Sequence, residues 1–304
     1  MIQQDLLAGL KERFAIGEAL MEDAQNKAFT ELIEGKQAVE NPQLVIIGGQ
    51  VGSKKEDIKD LILQEFQGNA VVISLNDLRK YHPHTEAIKT EYPDMMQPLT
   101  ADFVRSLLTH LENVAIQQKL NVILEMTLSN IDSVAAKINK FKSNQYEIGL
   151  SLLSLNKMFS YLNAEETYEK TLLIEKNGNL VSKQHHDQHY EEIAVTLQKL
   201  EAKNLLDNVM IYRNELQEKE GKIVCNLTVL ERNTSAFVDT YLRERNRDFT
   251  DIELVYLKEK ALSIKALKAN RDAYFLEKIR FDLNVKLLVD DRMGTVKVPK
   301  LKNQ

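Results

Sequence analysis

The chain has 304 residues, of which 43% are hydrophobic and 28% charged, with a net charge of −5. That balance suits a globular protein with a buried core, and its sign excludes a general attraction to nucleic acid or anionic membrane. A single cysteine, Cys225, excludes an intrachain disulfide, and no apolar run approaches the ~18 residues of a membrane-spanning helix.

The first segment, residues 1–40, has no proline. Its apolar residues Leu6, Leu10, Phe14, Ile16, Leu20 and Met21 recur at helical spacing, which predicts one or two helices ending near Gly35. Asp5, Lys11 and Glu12 interrupt its apolar residues, so it lacks the core of a signal peptide, and a cytoplasmic protein is expected. Asn41-Pro42 breaks the helical pattern.

Short apolar runs follow: Leu44–Ile47, Ala70–Leu75, Asn121–Met126, Ile148–Leu155 and Asn208–Tyr212. Most do not alternate, as expected of parallel strands buried on both faces. The stretches Glu56–Phe66, Ala101–Leu120, Ser129–Phe141 and Asp187–Leu200 are long enough for helices between them. This alternation predicts an α/β fold: a mostly parallel sheet of about five strands with helices on both faces, plus helical additions at each end. Met95, Met96, Pro93 and Pro98 read as a loop before the Ala101 helix. Lys222–Leu230 offers one further strand. Residues 231–284 read as helical in at least two pieces, and Thr250 to Glu253 has the capping-box spacing. A helix expected over 251–284 carries Leu254, Leu257, Ala261, Ile264 and Leu267 on one side, an apolar stripe that needs a cover. Met293–Gln304 reads as a loose tail. The resulting organisation is a helical segment over 1–40, a core over 43–215 and a helical extension over 220–304.

The segment Leu44-Val-Ile-Ile-Gly-Gly-Gln-Val-Gly-Ser-Lys-Lys-Glu56 runs strand, glycine loop, helix. Glycines let backbone N–H groups turn around phosphate oxygens, and a helix N-terminus adds positive potential. Counted from Gly49 against G-x-x-x-x-G-K-[ST], Lys54 stands at the second glycine and Lys55 at the lysine. Glu56 replaces the hydroxyl residue that ligates Mg²⁺. Gly49, Gly52, Ser53, Lys54, Lys55 and Glu56 are the candidate nucleotide-binding residues.

Four further segments join this loop. Asn76-Asp-Leu-Arg-Lys-Tyr-His-Pro83 follows the second strand, and Val122-Ile-Leu-Glu-Met-Thr127 is the third. Ser160-Tyr-Leu162 with Tyr168-Glu169, and Lys183-Gln-His-His-Asp187, follow in order. Over about residues 43–215 the chain resembles the zeta-toxin family of P-loop kinases, which phosphorylate UDP-N-acetylglucosamine or similar nucleotide sugars. The resemblance implies ATP with Mg²⁺ as cofactor if the protein is active, and an antitoxin or other protein partner through the helical extensions. It puts Lys55 on the phosphates and Glu125 and Thr127 on the sugar nucleotide. His82 is given a place near the substrate entrance.

The family's catalytic Asp falls on Asn76, and an amide cannot accept a proton as a general base. Asp77, one position later, is the substitute carboxylate. The family's lid arginines fall near Thr167 and Asn179, with Lys170, Lys176 and Lys183 as neighbouring cations. A lysine supplies a point charge rather than the fork of a guanidinium. Three readings stay open: a zeta-like phosphotransferase with weak catalysis, a catalytically inactive pseudokinase serving as an interaction module, and a divergent nucleotide-binding ATPase or sensor. His185, His186 and His189 read as a polar helix face, Arg243–Asp248 as a solvated helix face, and Cys225 as a buried thiol.

Overall fold

The computed structural model describes residues 2–53, 55–175, 181–232 and 235–293, with the side chains of 2–4, 175 and 290–293 left aside. In chain order the elements are α1 (Ile2–Arg13), α2 (Glu18–Leu32), β1 (Gln43–Gly48), α3 (Glu56–Glu65), β2 (Val71–Ser74), α4 (Thr85–Glu91), α5 (Met96–Gln117), β3 (Val122–Met126) and α6 (Ile131–Lys142). They continue with β4 (Glu147–Leu153), α7 (Lys157–Glu175), α8 (Lys183–Ala202), β5 (Asn208–Lys219), β6 (Lys222–Arg232), α9 (Phe237–Asn246), α10 (Asp251–Asn270) and α11 (Phe275–Met293). Short 3₁₀ turns lie at Asp77–Tyr81 and Pro93–Met95.

The six strands form one sheet in the order β2-β3-β1-β4-β5-β6. The first five run parallel, and β6 returns antiparallel along β5. β1 sits between β3 and β4, so its buried run Leu44, Ile46, Ile47 is covered on both faces. Leu44 and Ile46 join one apolar layer with residues of α2, α5, α6, α8 and α9. Ile47 and Ile123 join the other, with α3, α7, α10 and α11. Strand side chains alternate between faces, which is why neighbours in sequence enter different layers.

The N-terminal helices end as the breaking residues require: Gly35 adopts φ +82, where a side chain costs energy. α5 starts earlier than its apolar spacing suggests, at Met96. Pro98 thus lies in its first turn, where a missing N–H breaks no helical bond. The β6 strand pairs with β5 along its whole length, and α9 buries Phe237, Val238 and Tyr241 in the first layer. The span 220–304 is therefore continuous with the core at its start. The capping box forms: the Thr250 hydroxyl accepts from the Glu253 N–H, and Glu253 accepts from the Thr250 N–H. One helix does not run to residue 284; the chain turns at Arg271–Tyr274, with Asp272 at φ +55, before α11. Of the expected stripe, Leu257 and Ile264 are buried, Ala261 is half-buried and Leu254 is exposed. The expected tail beyond Met293 lies outside the described residues.

Three smaller expectations change. Cys225 is exposed, because β6 is an edge strand. Arg245 is buried, its guanidinium 3.3 Å from the Tyr190 ring centroid, since it lies on the inner side of α9. His186, expected with His185 and His189 on a polar helix face, is buried too and shares a 2.8 Å hydrogen bond with Ser160 Oγ.

Candidate functional site

The site lies at the C-terminal ends of β1, β2 and β3, where open parallel sheets place ligands. Register sets Ile47 beside Glu125, and Glu125 beside Ser74. From Gly48 the chain enters the glycine loop at Gly49 and continues into α3 from Glu56. Gly52 has φ +76, and a Cβ there would lie 2.1 Å from the Ser160 carbonyl oxygen. Only glycine permits both that backbone and that approach of α7. Asn163 of α7 donates to the Gly52 carbonyl at 2.9 Å. Buried Gln50 donates to the Leu155 carbonyl at 2.8 Å and accepts from the Tyr241 hydroxyl at 3.3 Å. The loop is thus held by β4's exit, by α7 and by α9.

A cleft of about 560 Å³ opens over this loop. Gly52, Ser53, Lys55, Glu56, Asn76, Asp77, Glu125 and Thr127 line it, with Ala164, Thr167, Tyr168 and Thr171 of α7 across from them. Lys55 Nζ lies 3.5 Å from Ser53 Oγ. Burial lowers the Lys55 ammonium from its ordinary value, against the opposing pull of Glu125 and Glu56. Burial likewise raises Glu125, against Lys55 and Lys59, and the Lys59 ammonium lies 3.9 Å from its carboxylate. These charged groups are therefore held partly desolvated, the state in which a bound phosphate or hydroxyl feels them most.

Gly49 does not line the cleft; it lies beneath, where an added Cβ would press on Ser53 Oγ at 2.6 Å. Lys54 lies outside the described residues, as do Lys176 and Asn179. His82 is not in the cleft wall either. It is buried edge-on against Phe103, ring centroids 4.8 Å apart, and its Nδ1 accepts from the His84 N–H at 3.1 Å. Thr167 faces the cleft, Lys170 pairs with Glu166, and Lys183 pairs with Asp187. Asn76 and Asp77 are exposed at the rim, and the Asn76 side-chain oxygen accepts from Arg79. Sequence reasoning placed Arg79 only as a motif landmark and gave no site role to Lys59 or Tyr168. Arg79 had a readable signal, three positions from Asn76 on one turn; Lys59, one helical turn after Lys55, had one too. Tyr168 had a partial one, as part of the Tyr168-Glu169 segment that carries the resemblance, although only the packing of α7 brings it to the cleft.

A phosphate loop between a central parallel strand and a helix, facing carboxylate and hydroxyl groups on the neighbouring strand, defines a kinase-like α/β fold. The family model described as zeta toxin matches residues 27–224, and the chain belongs to the zeta-toxin family. It is 30% identical over 189 residues to toxin PezT of Streptococcus pneumoniae, spanning 60% of this chain and 73% of that toxin. It is 26% identical over 241 residues to toxin zeta of Enterococcus hirae, spanning 78% of this chain and 80% of that one. A solved structure described for the PezAT toxin–antitoxin system of Streptococcus pneumoniae shares the fold, with a TM-score of 0.72 at 24% identity. It covers 83% of this chain and 98% of its own.

Proposed function

We propose that this chain binds a nucleotide and a nucleotide sugar in the cleft, with phosphoryl transfer weak or lost, and works with a protein partner. The observation that carries this reading is the pairing of a surviving binding set with an altered reacting set. Lys55, Glu125 and Thr127 line one cleft over a prebuilt glycine loop. The position of the expected base holds Asn76, whose amide oxygen is already bonded to Arg79. Asp77 lines the same cleft and is the carboxylate left to accept a proton from an attacking hydroxyl.

ATP fits this frame: Gly52, Ser53 and Lys55 line the cleft beside the start of α3, where a phosphate chain would find a lysine and a helix N-terminus. The residues do not fit the usual Mg²⁺ seat. Ser53 is buried, and Glu56 stands exposed where a hydroxyl ligand belongs. No step is therefore assigned to the metal. A protein partner is supported by the relatives' description as a toxin–antitoxin pair.

Calorimetry with ATP, with and without Mg²⁺, and a phosphoryl-transfer assay on UDP-N-acetylglucosamine test the reading. Weak Mg²⁺–ATP binding is expected, tightening at least tenfold in a Lys54→Gly, Glu56→Thr double variant. Turnover at the roughly 1–100 s⁻¹ of ordinary kinases would overturn the claim of weak catalysis.

A second reading, the inactive interaction module, is favoured by α11. Leu276, Leu283 and Leu287 stand exposed at helical spacing on its outer side, with Ile279 between them. It differs from the first in predicting that neither ATP nor the nucleotide sugar binds.

A further inference from the structure

We infer that Arg79 is the guanidinium that anchors a phosphate group in this cleft, and that Asn76 keeps its charge available. The inference deepens the reading of the cleft as a phosphate site. Among the described residues the cations lining the cleft are Lys55, Lys59 and Arg79. Lys59 lies within 4 Å of the Glu125 carboxylate. Lys55 stands next to Glu125 electrostatically and against Ser53. Arg79 differs. Its NH1 donates only to neutral acceptors, the Leu75 carbonyl at 3.1 Å and the Asn76 amide oxygen. Its Nε is buried and has no hydrogen-bond partner. The nearest sequence carboxylate, Asp77, forms no ion pair with it, and Glu31, across the same turn, is taken by Lys80.

A half-buried guanidinium without a carboxylate partner is costly unless an anion reaches it. Its planar fork matches two phosphate oxygens better than an ammonium does. Among its described residues α7, on the opposite wall, contributes to the cleft the uncharged Ala164, Thr167, Tyr168 and Thr171. Arg79 is thus the one fork-shaped cation the described wall offers. The identity of residue 76 then becomes a switch on its charge. An amide oxygen holds the guanidinium in place while leaving its charge whole. A carboxylate of the same shape would hold it in the same place and neutralise it.

The test uses the full chain without Mg²⁺, with sodium tripolyphosphate, ATP and UDP-N-acetylglucosamine as probes and adenosine as the phosphate-free control. Tripolyphosphate binding is expected to weaken about tenfold or more in Arg79→Gln and in Asn76→Asp, and less in Arg79→Lys. Adenosine should not distinguish the variants. Asn76→Asp preserves the hydrogen bonds of the turn, so it reports on charge even where Arg79→Gln unfolds locally. If both Asn76→Asp and Arg79→Lys bind tripolyphosphate as tightly as the parent, the inference is wrong while the phosphate reading stands. A parent that binds no tripolyphosphate also overturns it. Arg79-dependent tripolyphosphate binding without binding of ATP or the nucleotide sugar would uphold the inference and sink the proposed function.

Discussion

Glu125 and Lys55 line one cleft and attract each other, and a ligand must compete with that attraction. If Glu125 holds substrate hydroxyls, UDP-N-acetylglucosamine raises the melting temperature of the native protein and Glu125→Gln abolishes the shift. If Glu125 only neutralises Lys55, no nucleotide sugar shifts the melting point and the variant changes basal stability alone. His82 carries a different prediction. Burial, with His84 beside it, lowers its pKa to about 4, and its Nδ1 is occupied as an acceptor. The unfolded chain binds a proton there below ~6.5. Between these values the unfolded state holds more protons, so stability falls as pH drops from ~6.5 towards 4. His82→Gln keeps an acceptor for the His84 N–H and does not titrate. Denaturant midpoints across that window should show the variant losing about 1–2 kcal/mol less than the parent. Parallel curves would show that His82 is not held neutral.

Among the elements, α7 couples the cleft to the C-terminal helices because it has two working sides. One side presents Thr167, Tyr168 and Thr171 to the cleft. The other presents Glu165, Glu166 and Glu169 to α10. Lys268 lies 2.9 Å from Glu165 and 2.6 Å from Glu169, Arg271 Nε lies 2.6 Å from Glu169, and Lys260 pairs with Glu166. Burial pushes the Glu169 carboxyl up, but the bonds from Arg271 and Lys268 and their charges outweigh it, so it ends below its usual value. Its stabilisation is present above the unfolded carboxylate pKa of ~4.3 and is lost as pH falls through the folded value. Glu169→Gln should cost about 3 kcal/mol at neutral pH, because it leaves the buried Lys268 and the half-buried Arg271 sharing one fewer carboxylate. Chemical denaturation checks this; a loss under 1 kcal/mol would mean that α10 is held by its apolar contacts alone. Helix faces give a sharper contrast. Leu257→Asp on the inner side of α10 should cost about 3 kcal/mol or more. Leu283→Asp, on the outer side of α11, should change stability by only about 0.5 kcal/mol. An equal loss at both positions would place Leu283 in a covered interface.

For the whole molecule, the family match ends at residue 224, yet the second apolar layer does not. Leu257, Ile264, Phe281 and Leu288 complete it against Tyr161 and Leu162. The C-terminal helices are therefore part of what keeps α7, and with it one wall of the cleft, in place. A chain ending at Arg232 should lose the single cooperative melting transition of the full chain and expose apolar surface to a hydrophobic dye. A truncated chain that melts as the full one does would show that α10 and α11 are dispensable to the core. None of the described helices is long and apolar enough to cross a membrane.

The parallel core was legible because buried strands leave compact apolar runs and glycine loops leave a signature in residue type and order. Leu44–Ile47, the loop through Lys55 and the strand to Glu125 could be placed from the sequence, and register then brought Glu125 beside Ile47. The capping box of α10 was readable for the same reason: it is a local pattern of a hydroxyl and a carboxylate three residues apart. What tertiary structure decided has long separation in the chain. Tyr241 reaches Gln50 across 191 positions, and Lys268 reaches Glu169 across 99. α7 went unread as a helix because it is buried on several sides and carries glutamates where an amphipathic pattern would show apolar residues. His82 moved from the expected entrance to the core because a neutral imidazole packs as an aromatic, and only its neighbours, Phe103 and the His84 N–H, reveal which role it takes. Residue order determined which chemistry is present in this chain. Only packing decided which charges are paired and which face the cleft, because pairing depends on distances that residue order does not contain.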